Sequence, residues 1–146
     1  MYNIGYQIIL ILTAFILTGC CATKKSDVTA TTPVYQEFKK ISGNKVYFTF
    51  DSSALSKAAK EILIKQAEWL KANPNTIADI QGHCDEIGTE KYNFALGLKR
   101  AESVKNFLKE YGVNQERLSV ILSYGKLYPE KSGHTKEDHR INRRVV

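Results

Sequence analysis

A run of four polar residues, from His83 to Glu86, stands between an apolar segment and a segment of helical character. These residue types fit three kinds of chemistry: a metal site, a pair of catalytic acids, or a pocket for a zwitterion. Asn93 and Arg100 follow, seven residues apart. In a helix this spacing puts both side chains on one face, about 10 Å apart along the axis. The polar run and the helix behind it are therefore the candidate site.

Asp85 and Arg100 give this candidate site one anion and one cation. Held several ångströms apart, they fit the ammonium and carboxylate groups of an amino acid. Alternatively, Asp85 caps the helix start, where the helix dipole favours a carboxylate, and Arg100 pairs with it in a buried clamp. Gly97 lies between Asn93 and Arg100 although glycine costs about 1 kcal/mol relative to alanine inside a helix. A residue this small lets another segment approach the helix closely.

A zinc site would draw on His83, Cys84, His134 and His139. Adjacent residues on a strand point to opposite faces, and no standard zinc-ligand spacing is present in the sequence. We therefore expect no metal, and no cofactor apart from a covalent lipid.

A glycosidase needs two carboxyl groups about 5–9 Å apart across a sugar. Asp85 and Glu86 are neighbours, and the sequence places no second carboxylate opposite them. We expect a binding protein rather than an enzyme, with a periplasmic cell-wall hydrolase as the alternative.

The 146 residues carry a net charge of +6, and their number suits one modest domain with short additions. A moderately basic surface attracts anionic partners of several kinds. The sequence has no pattern typical of an RNA-binding or helix-turn-helix module. With an export leader in front, we expect no nucleic-acid partner.

The leader comprises residues 1–19, with an apolar run from Ile8 to Leu17 that is too short to span a bilayer. The four residues Leu17 to Cys20 resemble a bacterial lipobox, which implies a diacylglyceryl group on Cys20 and cleavage before it. The leader contains no Lys or Arg, so an uncleaved anchor helix is an alternative. Cys21 is not Asp, which by the same resemblance implies transfer to the outer membrane and a lipid-anchored location on its periplasmic face.

Residues 20–43 are expected to form an acylated N-terminus and a flexible tether, because few large apolar residues are available for burial. Residues 44–146 are expected to form one α+β domain in the order β-α-β-α-β-(α)-β, with a mixed sheet and helices packed on one face. Hydrophobic periodicity and caps predict strands at Lys45–Phe50, Ile77–Gly82 and Leu118–Tyr124, helices at 57–73, 90–111 and 135–140, and a final strand within 142–146.

The same periodicity predicts which side of each element faces the core. In the third strand it sets Leu118, Val120, Leu122 and Tyr124 on one face and Ser119, Ile121 and Ser123 on the other. In the second helix it predicts a buried stripe formed by Phe94, Leu98, Ala101, Val104, Leu108 and Tyr111.

Several blocks are similar to those of the outer-membrane protein A-like carboxy-terminal family. They are "VYFTFDSSALS", "GHCDEIGTEKYNFALGLKRAESVKNFL", "SYGKLYPE" and "NRRVV", and they occur in order from about Lys45 onward. The resemblance implies the α+β fold described above. It also implies non-covalent binding of the diaminopimelate of the cell-wall stem peptide.

The resemblance also implies a set of binding residues. Asp85 matches the family's aspartate that contacts diaminopimelate, and Arg100 matches its carboxylate-binding arginine. The other matching positions are Phe50, Asp51, Glu86, Gly88, Thr89, Asn93, Leu96 and Arg143. Ile87 departs from the arginine that is usual in close relatives, so one polar contact or one partner surface at this position is expected to be weaker.

Taken together, the leader and the resemblance imply an outer-membrane lipoprotein that links this membrane to peptidoglycan. They further imply membership of the Tol-Pal system, with a periplasmic Tol protein such as TolB as a partner, and a role in envelope integrity and cell division.

Overall fold

The computed structural model describes residues 32–146. The leader, Cys20 and the first part of the expected tether lie outside these residues. The helices are α1 (Pro33–Ser42), α2 (Lys57–Ala72), α3 (Glu90–Glu110) and α4 (Lys136–Asn142), and a short 3₁₀ helix covers Gln115–Arg117. The strands are β1 (Val46–Tyr47), β2 (Ala78–His83), β3 (Leu118–Gly125) and β4 (Arg144–Val145). None of the helices from residue 32 onward is long and apolar enough to cross a membrane.

The four strands form one mixed sheet in the order β1-β4-β2-β3. β2 and β3 are parallel, whereas β4 runs antiparallel to both β1 and β2. Apolar side chains of α2 and α3 share a single core cluster with those of the strands, around Leu63, Ala101 and Ile80. The predicted α+β fold, with its mixed sheet and packed helices, is confirmed.

Helix α1 lies where a flexible tether was expected, so this expectation is wrong for residues 33–42. The Thr32 hydroxyl caps the helix by accepting the Tyr35 N–H at 3.3 Å, and Pro33 starts its first turn. Phe38 then packs edge-on against Trp69 of α2, with ring centroids 5.0 Å apart. The cap and this aromatic contact help to order the segment. Residues 33–42 therefore belong to the ordered structure together with the domain expected from residue 44 onward.

Strand β1 is shorter than the predicted strand Lys45–Phe50. The Phe48 N–H still donates to the Arg143 carbonyl at 2.9 Å. The next carbonyl, that of Thr49, instead accepts a hydrogen bond from the Arg100 side chain at 3.1 Å. The chain leaves the sheet here because its backbone carbonyls accept hydrogen bonds from the buried Arg100 guanidinium instead of from a neighbouring strand.

Strand β3 does not keep the predicted alternation of its two faces. Val120 and Leu122 are exposed, and Ile121 packs on the core instead. The pairing of β3 with β2 skips Ser119, which is the extra residue of a bulge. Since an extra residue reverses the alternation of side chains that follow it, the predicted alternation was wrong.

Helix α3 is buried along a face that only partly follows its apolar residues. Ala101, Val104 and Leu108 are buried as predicted, but Phe94 and Tyr111 are exposed, and Leu98 is half-buried. The buried face continues instead through Asn93, Gly97 and Arg100. Polar and small residues occupy it because the turn after β2 and the end of β1 approach the helix there.

Gly82 of β2 and Gly97 of α3 form the closest approach between sheet and helix. A Cβ atom placed on Gly82 would lie 1.9 Å from the Gly97 carbonyl oxygen. A Cβ atom on Gly97 would lie 2.3 Å from the Ser123 hydroxyl. The close approach that Gly97 predicted is therefore confirmed, and it holds the end of β2 against α3.

We predict that Gly82→Ala lowers the free energy of unfolding by about 3 kcal/mol, because the added methyl group meets backbone that cannot move aside. Urea denaturation monitored by circular dichroism measures the change. Gly43→Ala is the control: nothing lies within 4 Å of its added Cβ, and only its positive φ of 69° adds strain, worth about 1–2 kcal/mol. A Gly82→Ala cost no larger than that of the control would contradict the packing argument.

Candidate functional site

The turn between β2 and α3 is a short, well-braced loop. Thr89 caps α3, its hydroxyl accepting the Tyr92 N–H at 3.2 Å. Gly88 adopts a φ of 97°, which favours glycine. The buried Asn93 amide donates to the Ile87 carbonyl at 2.9 Å, so the first turn of the helix supports the loop that precedes it.

A pocket of about 170 Å³ lies between this loop, the loop after β1, the first half of α3 and the end of α4. Eight of the ten predicted binding residues line it: Phe50, Asp51, Asp85, Gly88, Asn93, Leu96, Arg100 and Arg143. The other two predicted residues, Glu86 and Thr89, are not among its lining residues, and Ile87 and Tyr92 are. The structure thus brings most of the predicted set together, while their role in binding stays a prediction.

Asp85 is 4% exposed, and each of its carboxylate oxygens has a hydrogen-bond partner. Oδ1 accepts the Ile87 N–H at 3.2 Å, and Oδ2 accepts from Nη1 of Arg143 at 3.0 Å. The alternative in which Asp85 pairs with Arg100 is therefore wrong: its cation is Arg143, which follows α4. This ion pair joins the loop after β2 to the end of the chain's last helix.

Arg100 is the largest fully buried side chain of the described residues. Its guanidinium donates to the carbonyls of Ser52 (2.8 Å), His83 (3.0 Å) and Thr49 (3.1 Å). Nη1 also donates to the Cys84 sulfur at 3.3 Å. These bonds use four of its five N–H groups. Burial lowers the pKa of Arg100, but a guanidinium stays charged in proteins.

Arg143 is more available to a ligand than Arg100. Its Nε donates to the Phe48 carbonyl at 3.1 Å, and its Nη1 donates to Asp85. Two of its five N–H groups are therefore engaged, and its side chain is 14% exposed. The pocket thus offers guanidinium donors for an anion beside the carboxylates of Asp51 and Asp85, which accept hydrogen bonds from a cation.

Tyr92 and Asp51 meet across the rim of the pocket, where the Tyr92 hydroxyl donates to the Asp51 carboxylate. This hydrogen bond raises the pKa of Tyr92. Asp51 has a φ of 52°, a left-handed conformation that aspartate tolerates better than most residues. Tyr92 was not among the predicted binding residues, although its spacing of four from Leu96 places both on one side of the helix.

Glu86 points away from the pocket toward α4. Its carboxylate accepts from His134 Nδ1 at 2.7 Å and from His139 Nε2 at 3.0 Å, which raises the pKa of His134. His83 is buried and stacks on Tyr124, and burial lowers its pKa to about 4. Within residues 32–146, no group of three His, Cys, Asp or Glu side chains is placed to hold a metal ion.

The mixed sheet, the braced turn and the pocket at the start of α3 define an OmpA-like α+β domain. The profile of the OmpA family matches residues 47–143. The chain therefore belongs to the OmpA family.

Curated relatives share the name "Peptidoglycan-associated lipoprotein". The protein from Agrobacterium fabrum is 40% identical over 68% of this chain and 56% of its own length. The protein from Mesorhizobium japonicum is 35% identical over 84% of this chain and 79% of its own length. The chain spans little more than half the length of the Agrobacterium fabrum relative.

Solved structures give the same result for the fold. The peptidoglycan-associated lipoprotein from Burkholderia pseudomallei superposes with a TM-score of 0.67 at 39% identity, covering 70% of this chain and 86% of that one. The C-terminal domain of Helicobacter pylori MotB superposes with a TM-score of 0.61 at 28% identity, covering 68% of this chain and 80% of that one.

We predict that Arg100→Met lowers the free energy of unfolding by at least about 3 kcal/mol, because three backbone carbonyls lose their donor at a cost of roughly 1–3 kcal/mol each. Urea denaturation measures this loss. Lys99→Met, at the adjacent exposed position, is the control and should change the free energy of unfolding by less than about 0.5 kcal/mol. Equal effects of the two substitutions would contradict the bracing role of Arg100.

Proposed function

We propose that this protein is a non-enzymatic lipoprotein that anchors the outer membrane to peptidoglycan. Its pocket binds the diaminopimelate of the stem peptide without forming a covalent bond. The observation that carries the proposal is the Asp85–Arg143 ion pair, which lies at a small pocket floored by Arg100. The names of the relatives and the family's match to residues 47–143 support it.

The free end of diaminopimelate carries an ammonium and a carboxylate on one carbon. In the proposed complex, the carboxylate accepts from the remaining N–H groups of Arg143 and Arg100. The ammonium donates to oxygens of Asp51 and Asp85. The pocket of about 170 Å³ is smaller than typical ligand clefts of roughly 300–1,000 Å³, which suits the end of one side chain rather than a whole muropeptide. Hydrogen bonds to charged groups contribute about 1.5–3 kcal/mol each, so binding of one diaminopimelate by one pocket is reversible. Many copies of the protein bound to one polymer give a firm attachment.

Cell-wall hydrolysis is the competing function, and Asp51 and Asp85 do line the same pocket. A glycosidase requires one carboxyl group that donates a proton and another that attacks or activates water. Asp85 is instead engaged on both oxygens, by Arg143 and by the Ile87 N–H. This arrangement favours binding over proton transfer. Incubation with purified sacculi distinguishes the two functions, because only a hydrolase releases soluble muropeptides.

The rim of the pocket also suits a protein partner. Phe50, Ile87 and Tyr92 are 59%, 47% and 51% exposed around the charged floor. Exposed apolar side chains grouped in this way are typical of interaction sites. We therefore propose that a periplasmic Tol-system protein such as TolB engages the same face and competes with peptidoglycan.

We predict that Asp85→Asn weakens binding to purified sacculi by about ten- to a hundredfold. The asparagine keeps the hydrogen bond to the Ile87 N–H but loses the charge that serves Arg143 and the ligand. Sedimentation of the protein with sacculi measures binding, and thermal unfolding shows whether the fold is retained. Asp79→Asn, an exposed aspartate on β2 outside the pocket, should bind as wild type. If folded Asp85→Asn protein sediments like wild type, the pocket assignment is wrong.

We predict that Cys20→Ser moves the protein from the membrane fraction to the soluble periplasmic fraction. Serine cannot receive the thioether-linked lipid, and each buried methylene of an acyl chain contributes about 0.8 kcal/mol to membrane binding. Fractionation with immunoblotting measures the distribution. Cys21→Ser is the matched control and should remain with the membrane. The anchor assignment fails if the two variants fractionate alike.

A further inference from the structure

An apolar depression of about 270 Å³ lies beside the proposed diaminopimelate pocket, between the start of α3 and the loop after β3. Phe94 and Leu127, which line it, are 54% and 61% exposed. Tyr124 forms part of its wall and is held by stacking on His83. We call it the Phe94–Leu127 depression. Large apolar side chains grouped at a surface indicate that something binds there.

The Phe94–Leu127 depression adjoins the pocket and is fixed relative to it. The Lys126 ammonium donates to the Gly88 carbonyl at 2.7 Å, and Gly88 lines the pocket. The Ser123 hydroxyl donates to the Phe94 carbonyl at 2.7 Å. Phe94 itself follows Asn93, another lining residue of the pocket. The depression and the pocket are therefore neighbours on one surface, and a ligand larger than the pocket can extend toward the depression.

The charges of the depression favour an anionic, partly apolar ligand. Lys91 and Lys126 line it together with one acid, Glu90. Lys126 makes two hydrogen bonds to loop carbonyls, those of Gly88 and Glu86. Its ammonium has three donors, so one remains for a ligand. The combination of one exposed and one half-buried lysine with exposed apolar side chains suits a carboxylate next to methyl groups and the apolar face of a sugar.

We propose that the Phe94–Leu127 depression is a second subsite for the same muropeptide whose diaminopimelate occupies the pocket; this inference rests on the proposed function. In a stem peptide, diaminopimelate follows a γ-linked glutamate with a free α-carboxylate, and an alanine and a lactyl group join that glutamate to the sugar. Lys126 and Lys91 bind the glutamyl carboxylate. Phe94 and Leu127 contact the alanyl and lactyl methyl groups and the sugar ring.

Calorimetry with the full-length protein in detergent tests this second subsite with three ligands: free meso-diaminopimelate, a disaccharide-tripeptide ending in diaminopimelate, and the same muropeptide with its glutamyl carboxylate amidated. We expect the muropeptide to bind at least tenfold more tightly than free diaminopimelate. Amidation of the glutamyl carboxylate should weaken binding of the muropeptide at least threefold. The double variant Phe94→Ala/Leu127→Ala should bind free diaminopimelate as wild type but the muropeptide at least fivefold more weakly. Both side chains are exposed, so the fold should be retained.

Ile77→Ala is the matched control, because Ile77 is a comparably exposed apolar residue at the opposite end of β2. It should bind all three ligands as wild type. Unchanged muropeptide binding by the double variant would overturn the inference and assign the depression to a protein partner instead. An equal loss of affinity of the double variant for free diaminopimelate and for the muropeptide would also overturn it. So would equal affinities of the wild type for the muropeptide with and without the amidation. Failure of wild-type protein to bind free diaminopimelate would overturn the proposed function and, with it, this inference.

Discussion

The site depends on one buried cation and the backbone oxygens that surround it. The Arg100 guanidinium draws together the carbonyls of Thr49 and Ser52, from the loop after β1, and that of His83, at the end of β2. A buried charge is tolerated only when its hydrogen-bonding groups are satisfied. The two loops are therefore held in one arrangement by the same side chain, and the pocket is the space left between them. Arg100 is first a structural residue, and one N–H of its guanidinium remains for the proposed ligand.

Local signals in the sequence predicted most of the fold. Helix caps at Ser56 and Thr89, and the 3.6-residue period after them, gave α2 and α3 close to their observed bounds. What failed depends on contacts that local signals do not contain. The bulge at Ser119 reverses the face of β3 through its register with β2. Helix α1 is the exception: Val34, Phe38 and Ile41 follow helical spacing behind the Thr32 cap, but the Thr, Lys and Ser around them favoured the tether interpretation.

Most residues that line the candidate site could be predicted, but the hydrogen bonds and ion pairs between them could not. Spacing on α3 placed Asn93 and Arg100 on one face, and the family resemblance supplied most of the remaining lining residues. The ion pair of Asp85 was not predictable in this way, because its partner Arg143 lies 58 residues further along the chain. Only the antiparallel addition of β4 beside β2 brings that arginine under the turn. Several arginines and lysines are possible ion-pair partners of a loop carboxylate until the order of the strands shows which of them lies nearby.

The ordering of α1 limits how far the domain can stand from the membrane. With lipid on Cys20 as proposed, only residues 21–32 separate the anchor from the folded body. Twelve residues cannot extend beyond about 40 Å in any conformation, whereas residues 21–43, which the sequence predicted as tether, would reach roughly 75 Å. Because α1 packs on α2 through Phe38 and Trp69, its residues belong to the domain and add no length to the chain that joins the domain to the proposed anchor.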